Sequence, residues 1–230
     1  MSNLRQLKTL SLQNFADDVK QYIRTPHEFY KNKLPELKTL GKRLYEEYKL
    51  RDFYRIFNRL WSSGYQKERS LAIHSLEKYE KEFDLKTWVF LKPKLREAKS
   101  WDELDCIAED IIGKILLRFP VLEREIAKLG KSSSVYERRA AIVSTLPLIK
   151  NNRIRLSMFL LENNLFNKEE SIQKVNGLIL KEIGKVKPEI AKRFILKHRN
   201  MPENTLQIAT ENMKELRKVK SIKMLKMNRF

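Results

Sequence analysis

The chain has 230 residues, 42% of them hydrophobic, with 48 Lys and Arg against 29 Asp and Glu for a formal net charge of +19. That apolar content at this length supports a continuous core and excludes a disordered basic tail. Six glycines and seven prolines argue against a meandering β protein, and the single Cys106 excludes a disulfide framework, a cysteine-ligated zinc site and a four-cysteine iron–sulfur cluster.

Polar residues interrupt Met1 to Arg24 every few positions, so this segment does not read as a signal peptide. No run approaches the roughly 18 to 20 apolar residues of a membrane helix. The expectation is a cytoplasmic protein in a reducing compartment. The excess positive charge points to a polyanionic partner, through phosphate neutralisation and counterion release, with a cationic helix on a membrane surface as the rival use.

Apolar residues at three- and four-residue spacing predict helices over Leu34 to Tyr48, Tyr54 to Trp61, Glu68 to Phe83 and Trp101 to Phe119. The same spacing predicts helices over Val135 to Lys150, Glu170 to Ile183, Pro188 to Leu196 and Thr205 to Leu216. Breaks fall at Thr25-Pro26, Ser62-Ser63-Gly64, Lys92-Pro93, Phe119-Pro120, Gly130 to Ser134, Lys187-Pro188 and Met201-Pro202. Helices of this length joined by short loops form antiparallel pairs.

An internal echo supports stacked pairs. Glu68-Arg69-Ser70-Leu71-Ala72-Ile73 recurs 69 positions later as Glu137-Arg138-Arg139-Ala140-Ala141-Ile142, and more weakly a further 36 positions on as Gln173-Lys174-Val175-Asn176-Gly177-Leu178. These spacings suit helical hairpins of roughly 35 residues. Ala72, Ala141 and Gly177 then mark close approach of a neighbouring helix. The expected architecture is all-α: a superhelical α-solenoid of HEAT-like antiparallel helix pairs with a concave basic face. Residues 1–213 are expected to form one helical-repeat domain and residues 214–230 a basic tail carrying seven basic residues and one acidic.

Charge is distributed unevenly. Residues 31–60 hold nine basic and four acidic side chains, residues 150–200 twelve and five, but residues 100–149 seven and eight. A basic shell around one acidic segment is the pattern of an enzyme that holds nucleic acid and works with a carboxylate; chance clustering of surface charge gives the same counts. The acidic segment contains Ser100-Trp101-Asp102-Glu103-Leu104-Asp105, where Ser100 is an N-cap candidate and Glu103 completes a capping box. At about 100° per residue, Asp105 lies roughly 80° from the centre of the apolar stripe Leu104, Ile107, Ala108, Ile111, Ile112, Ile115, Leu116. It is the acid nearest the apolar boundary, within reach of Trp101. Partial desolvation suits a catalytic carboxylate, while an Asp in the first turns of a helix also serves simply to complement the dipole.

The stretch Trp101-Asp102-Glu103-Leu104-Asp105 resembles the Trp-Asp-x-x-Asp signature of the DNA alkylation repair (AlkD-like) glycosylases, HEAT-like proteins that remove alkylated purines. Further similar pieces follow in register: Phe29-Tyr30 to Leu37, Leu60-Trp61 with the Glu68 to Tyr79 helix, Arg138-Arg139-Ala140-Ala141-Ile142, and Ile172-Gln173-Lys174 followed by Gly177 and Glu182. The resemblance spans roughly residues 26 to 213. It implies Asp105 as the catalytic carboxylate, Trp101 as an aromatic wall and Arg139 as a cation on the DNA backbone, with the adjacent Arg138 of the same motif as a further DNA contact. Independently, Lys174, Lys181 and Lys185 recur at spacings of seven and four on one helix face, the pattern of phosphate contacts and equally of a solvated face. Leu178 stands where the family usually has a second tryptophan, and Ser100 where many members have another aromatic. The implied partner is double-stranded DNA with alkylated bases, handled by a monomer without metal or organic cofactor. The alternative is a catalytically silent helical-repeat protein recognising distorted or branched DNA. His27, His74 and His198 lack metal-ligand spacing, and Cys106 is expected to face the packed side of its helix.

Overall fold

The computed structural model describes residues 34–63, 65–213 and 216. The Thr25-Pro26 break, His27, Phe29-Tyr30 and nearly all of the basic C-terminal segment lie outside them. The described residues contain no strand, and the chain divides into two compact units, Met1–Phe83 and Asp84–Phe230.

In the first unit, α1 (Leu34–Glu47), α2 (Leu50–Ser62) and α3 (Gln66–Leu76) lead into a 3₁₀ segment, Glu77–Glu82. Phe53, Ile56, Phe57, Leu60 and Trp61 recur at three- and four-residue spacing on α2, and all are buried. The 3₁₀ segment ties off α1: the Tyr79 hydroxyl bonds the carbonyls of Tyr48 (2.7 Å), just past the helix end, and Leu44 (3.1 Å), which also accepts from the Tyr48 amide. Tyr79 also stacks on Phe53 with ring centroids 5.1 Å apart, and burial raises its phenol pKa.

In the second unit, Asp84 caps α4 (Leu85–Leu91) by accepting from the amides of Lys86 and Thr87, while Thr87 accepts from the Asp84 amide. After Pro93 and the single turn α5 (Lys94–Glu97) comes one continuous helical run. It consists of α6 (Trp101–Cys106), a π-helical segment (Ile107–Ile112) and α7 (Gly113–Arg118). The chain continues through a 3₁₀ turn (Pro120–Leu122), α8 (Glu123–Leu129), α9 (Val135–Val143), α10 (Leu146–Lys150) and α11 (Arg155–Asn164). It ends in α12 (Glu170–Val186), α13 (Pro188–Lys197) and α14 (Glu203–Thr210).

The π segment follows from the spacing of its apolar residues. Leu104, Ala108, Ile112 and Leu116, like Ile107, Ile111 and Ile115, recur every four residues, which drifts by about 40° per repeat on a 3.6-residue turn. The wider turn, in which Gly113 N–H bonds the Ala108 carbonyl, takes up that drift. All seven side chains are buried, each contributing roughly 1.5–3 kcal/mol of transfer free energy except the smaller alanine.

The echo at Glu68-Arg69 and Glu137-Arg138 has a structural meaning. Arg69 is buried, bonds the Trp61 carbonyl at 3.0 Å and lies 3.4 Å over the Trp61 ring. Arg138 likewise reaches back, bonding the carbonyls of Ser132 (2.7 Å) and Ser133 (2.8 Å). Each arginine fastens the chain that leads into its own helix. The small residues of the echo behave as expected: Ala72 and Ala141 are fully buried, and a Cβ on Gly177 would meet Ile208 Cβ at 2.7 Å and the Thr205 carbonyl at 2.9 Å.

Three expectations are corrected. The helix over Val135 to Lys150 is two, because Pro147 has no amide to continue the ladder and the hydroxyls of Ser144 and Thr145 bond back to Ala141 and Ile142. Helices α4, α5, α8 and α11 were not expected; the first three span two turns or less, and α11 follows Asn151-Asn152 and ends in Asn163-Asn164. The last helix runs over Glu203–Thr210 instead of reaching Leu216.

Candidate active site

Ser100 caps α6, its hydroxyl accepting from the Glu103 amide at 3.2 Å. The Glu103 carboxylate reaches one residue further than a capping box requires, accepting from the Lys99 amide at 2.9 Å. This fixes the start of α6, where Trp101 is 38% exposed. One turn on, Asp105 projects with 32% of its side chain exposed, flanked along the same helical run by the buried Leu104 and Ile107.

Arg139 of α9 meets Asp105 in a two-bond fork, Nε to Oδ1 at 2.8 Å and Nη2 to Oδ2 at 2.6 Å. Its remaining terminal nitrogen, Nη1, bonds the carbonyl of Ser171 in the first turn of α12 at 2.7 Å. The guanidinium carbon lies 5.1 Å from the centroid of the Trp101 ring, a cation–π contact. One arginine, 13% exposed, thus joins α6, α9 and α12, and the planar fork dictates the orientation of the carboxylate. Each carboxylate oxygen keeps a further acceptor site, and about a third of the Asp105 side chain is exposed.

Tyr136, three residues before Arg139 on α9, stacks on Trp101 with centroids 4.9 Å apart and planes 29° apart. Sequence reading missed this ring. The available signal was its three-residue spacing to Arg139, which places both on one face of α9.

The other residues singled out from the sequence are placed differently. Arg138 turns to the loop carbonyls of Ser132 and Ser133. Lys174 pairs with Glu170 at 2.7 Å and Lys181 with Glu211 at 2.5 Å. Leu178 is half-buried beside Gly177 on α12, and Cys106 is half-buried where full packing was expected. Among the described residues, no group of three or more His, Cys, Asp or Glu is arranged to hold a metal ion. No helix among them is long and apolar enough to cross a membrane.

Neighbouring ties stiffen the frame. Arg96 binds the buried Glu137 through two bonds of 2.8 and 2.9 Å, and Ser132 Oγ donates to the same carboxylate. The Arg96 bonds, with help from Ser132, hold the Glu137 pKa below the usual glutamate value despite burial. Lys150 of α10 pairs with Glu109 of the π segment at 2.8 Å, which raises the lysine pKa. Asn164 donates to the carbonyls of Gly130 and Leu160, and Asn176 to that of Asn164, linking the loop before α9 to α11 and α12.

The family described as DNA alkylation repair enzyme matches residues 4–213. Among solved structures, the chain is similar to a predicted DNA alkylation repair enzyme from Enterococcus faecalis, at 17% identity and a TM-score of 0.71, covering 79% of this chain and 86% of that one. It is also similar to AlkD2 from Streptococcus mutans, at 14% identity and a TM-score of 0.68, covering 88% of this chain and 99% of that one. These likenesses show the all-α helical-repeat fold. A comparison with curated proteins finds no match.

Proposed function

The chain belongs to the DNA alkylation repair enzyme family, and from that premise we propose that it is a monofunctional DNA glycosylase releasing N3- and N7-alkylated purines from duplex DNA. The observation that carries this reading is the assembly of Asp105, Arg139 and the Trp101–Tyr136 stack in one place. Purines alkylated at N3 or N7 are cationic and leave readily, so strong general-acid assistance is dispensable. As the C1′–N bond lengthens, its electron pair departs with the base and positive charge builds on the sugar. Asp105 stabilises that charge, and water adds at C1′ with loss of a proton, leaving an abasic sugar. The aromatic face of Trp101 attracts the cationic base.

Arg139 orients the carboxylate in the fork, and its two unused N–H groups remain for a DNA phosphate. Lys174 and Lys181 contribute backbone contacts by exchanging Glu170 and Glu211 for phosphate oxygens. The protein acts as a monomer on cytoplasmic DNA, without metal or organic cofactor. The test is to incubate the full chain with randomly methylated duplex DNA and quantify free 7-methylguanine and 3-methyladenine by chromatography. Release above the protein-free control supports the reading. Salt-sensitive DNA binding without release replaces it with the second reading, a silent DNA-binding protein, which Leu178 and the neutralisation of Asp105 by Arg139 favour.

A further inference from the structure

Two forks of opposite polarity hold α9 against the segment that runs from α5 into α6. Arg96 of α5 gives Nε and Nη2 to Glu137 of α9 at 2.8 and 2.9 Å. Arg139 of α9 gives the same two atoms to Asp105 of α6 at 2.8 and 2.6 Å. Glu137 and Arg139 stand two residues apart, roughly 200° around the helix at about 100° per residue, so the forks grip α9 from opposite sides. One fork alone lets the helix roll about its contact, and a second on the far side opposes the roll. Exchange of partners would set Glu137 against Asp105 and Arg139 against Arg96, like charge against like, so the register is fixed as well. Resting on the glycosylase reading above, we propose that Glu137 is a positioning residue for Asp105, acting through Arg139. Tied to Arg96, it sets the rotation of α9 that aims the Arg139 guanidinium at the catalytic carboxylate.

Glu137 is placed for this role and not for DNA contact. Its side chain is 8% exposed, and Ser132 of the loop before α9 donates to the same carboxylate. An anion is repelled by phosphate, so neutralising Glu137 removes no attraction for DNA. A displacement of about 1 Å in a catalytic group costs up to roughly 10²-fold in rate. The loss expected here is on the order of 10-fold, because Asp105 keeps its charge and Arg139 keeps the Ser171 carbonyl.

The experiment uses the full chain as wild type, Glu137→Gln, Arg96→Lys, Asp105→Asn, and Glu137→Gln combined with each of the other two. Arg96→Lys keeps the charge and loses the planar fork. Single-turnover release of 7-methylguanine from methylated duplex DNA gives the rate, and titration gives the affinity for the same DNA. The Nε–H resonance of Arg139, assigned by its absence in Arg139→Lys, reports the fork to Asp105 whether or not a base is released. The expected result is a rate lower by about 10-fold in Glu137→Gln and in Arg96→Lys, with DNA affinity undiminished in Glu137→Gln. In both, the Arg139 resonance shifts and exchanges faster with water. Their double variant is no slower than either single one, and Glu137→Gln causes no further loss in the Asp105→Asn background. A wild-type rate or an unmoved Arg139 resonance in Glu137→Gln overturns the proposal. So does an undiminished loss in the Asp105→Asn background, the mark of general damage to the fold. If Glu137→Gln does not fold, Arg96→Lys, with its largely exposed side chain, decides by the same rate and resonance. Absence of base release by the wild type defeats the glycosylase reading alone. The Arg139 resonance then decides for Glu137: a shift in Glu137→Gln supports its positioning role, and an unmoved signal overturns it.

Discussion

Gly113 joins the π segment to α7, at a place where the helix bearing Asp105 passes close to the α9–α10 joint. A Cβ there would sit 2.6 Å from Pro147 Cγ, 2.8 Å from Pro147 Cδ and 2.8 Å from the Ser144 carbonyl oxygen. Ordinary contact begins at 3.4 Å, so Gly113→Ala forces a separation of several tenths of an ångström against a rigid ring and a backbone atom. Overpacking of this kind costs about 2–3 kcal/mol, the upper part of its usual range, because neither neighbour can rotate away. Alanine recovers about 1 kcal/mol of helix propensity. The net destabilisation is about 1–2 kcal/mol, which for a chain of this size lowers Tm by roughly 2–8 °C. Gly41→Ala serves as the control, since its Cβ would meet chiefly the Ser75 hydroxyl at 3.0 Å, an atom that χ1 rotation moves aside. Thermal unfolding followed by circular dichroism should show Gly113→Ala clearly below wild type and Gly41→Ala level with it or above. A Gly113→Ala protein as stable as wild type would refute the close packing of these helices.

The remaining predictions concern the frame of the site. The Glu137 pKa is lowered by its Arg96 bonds, so its stabilising contribution is complete above the ordinary glutamate value of 4.5 and is lost as pH falls through its lower folded value. Glu137→Gln should therefore flatten the dependence of Tm on pH below 4.5, and an unchanged slope in an acid titration of Tm would contradict the fork. Asn164→Ala removes two buried bonds, to Gly130 and Leu160, and should cost about 1–3 kcal/mol in urea unfolding through the unsatisfied Gly130 carbonyl. A variant with the wild-type midpoint and slope would show that this polar link contributes nothing.

Long amphipathic helices were legible because several turns of one apolar face repeat the same signal. Phe53, Ile56, Phe57 and Leu60 illustrate this on α2. Helix α5 was not, since a single turn carries no period. The helix over Val135 to Lys150 reads as one because its apolar pattern continues across Pro147, whereas the missing Pro147 amide and the back-bonding hydroxyls of Ser144 and Thr145 separate α9 from α10. The four-residue spacing around Asp105 was visible as a stripe, but a uniform 100° wheel has no place for the π segment it produces. At the site, periodicity put Asp105 at the apolar boundary, and it is one-third exposed. Its partner was invisible to periodicity: Arg139 lies 34 residues away, and Ser171 a further 32. The resemblance brought Arg139 forward as a phosphate contact, whereas the fold engages three of its nitrogens internally. Tyr136 escaped notice because a stack between two helices leaves no mark on the spacing within either.

The central claim is that the negative charge of Asp105 drives base release, and the single-turnover rate of Asp105→Asn on methylated duplex DNA tests it most directly. Asparagine keeps the shape of the side chain and removes its charge. With folding checked by thermal unfolding and DNA affinity by titration, the account predicts retained binding and a rate of 7-methylguanine release lower by about 10²- to 10³-fold, typical of losing one preorganised electrostatic group. Release at the wild-type rate by Asp105→Asn would contradict it.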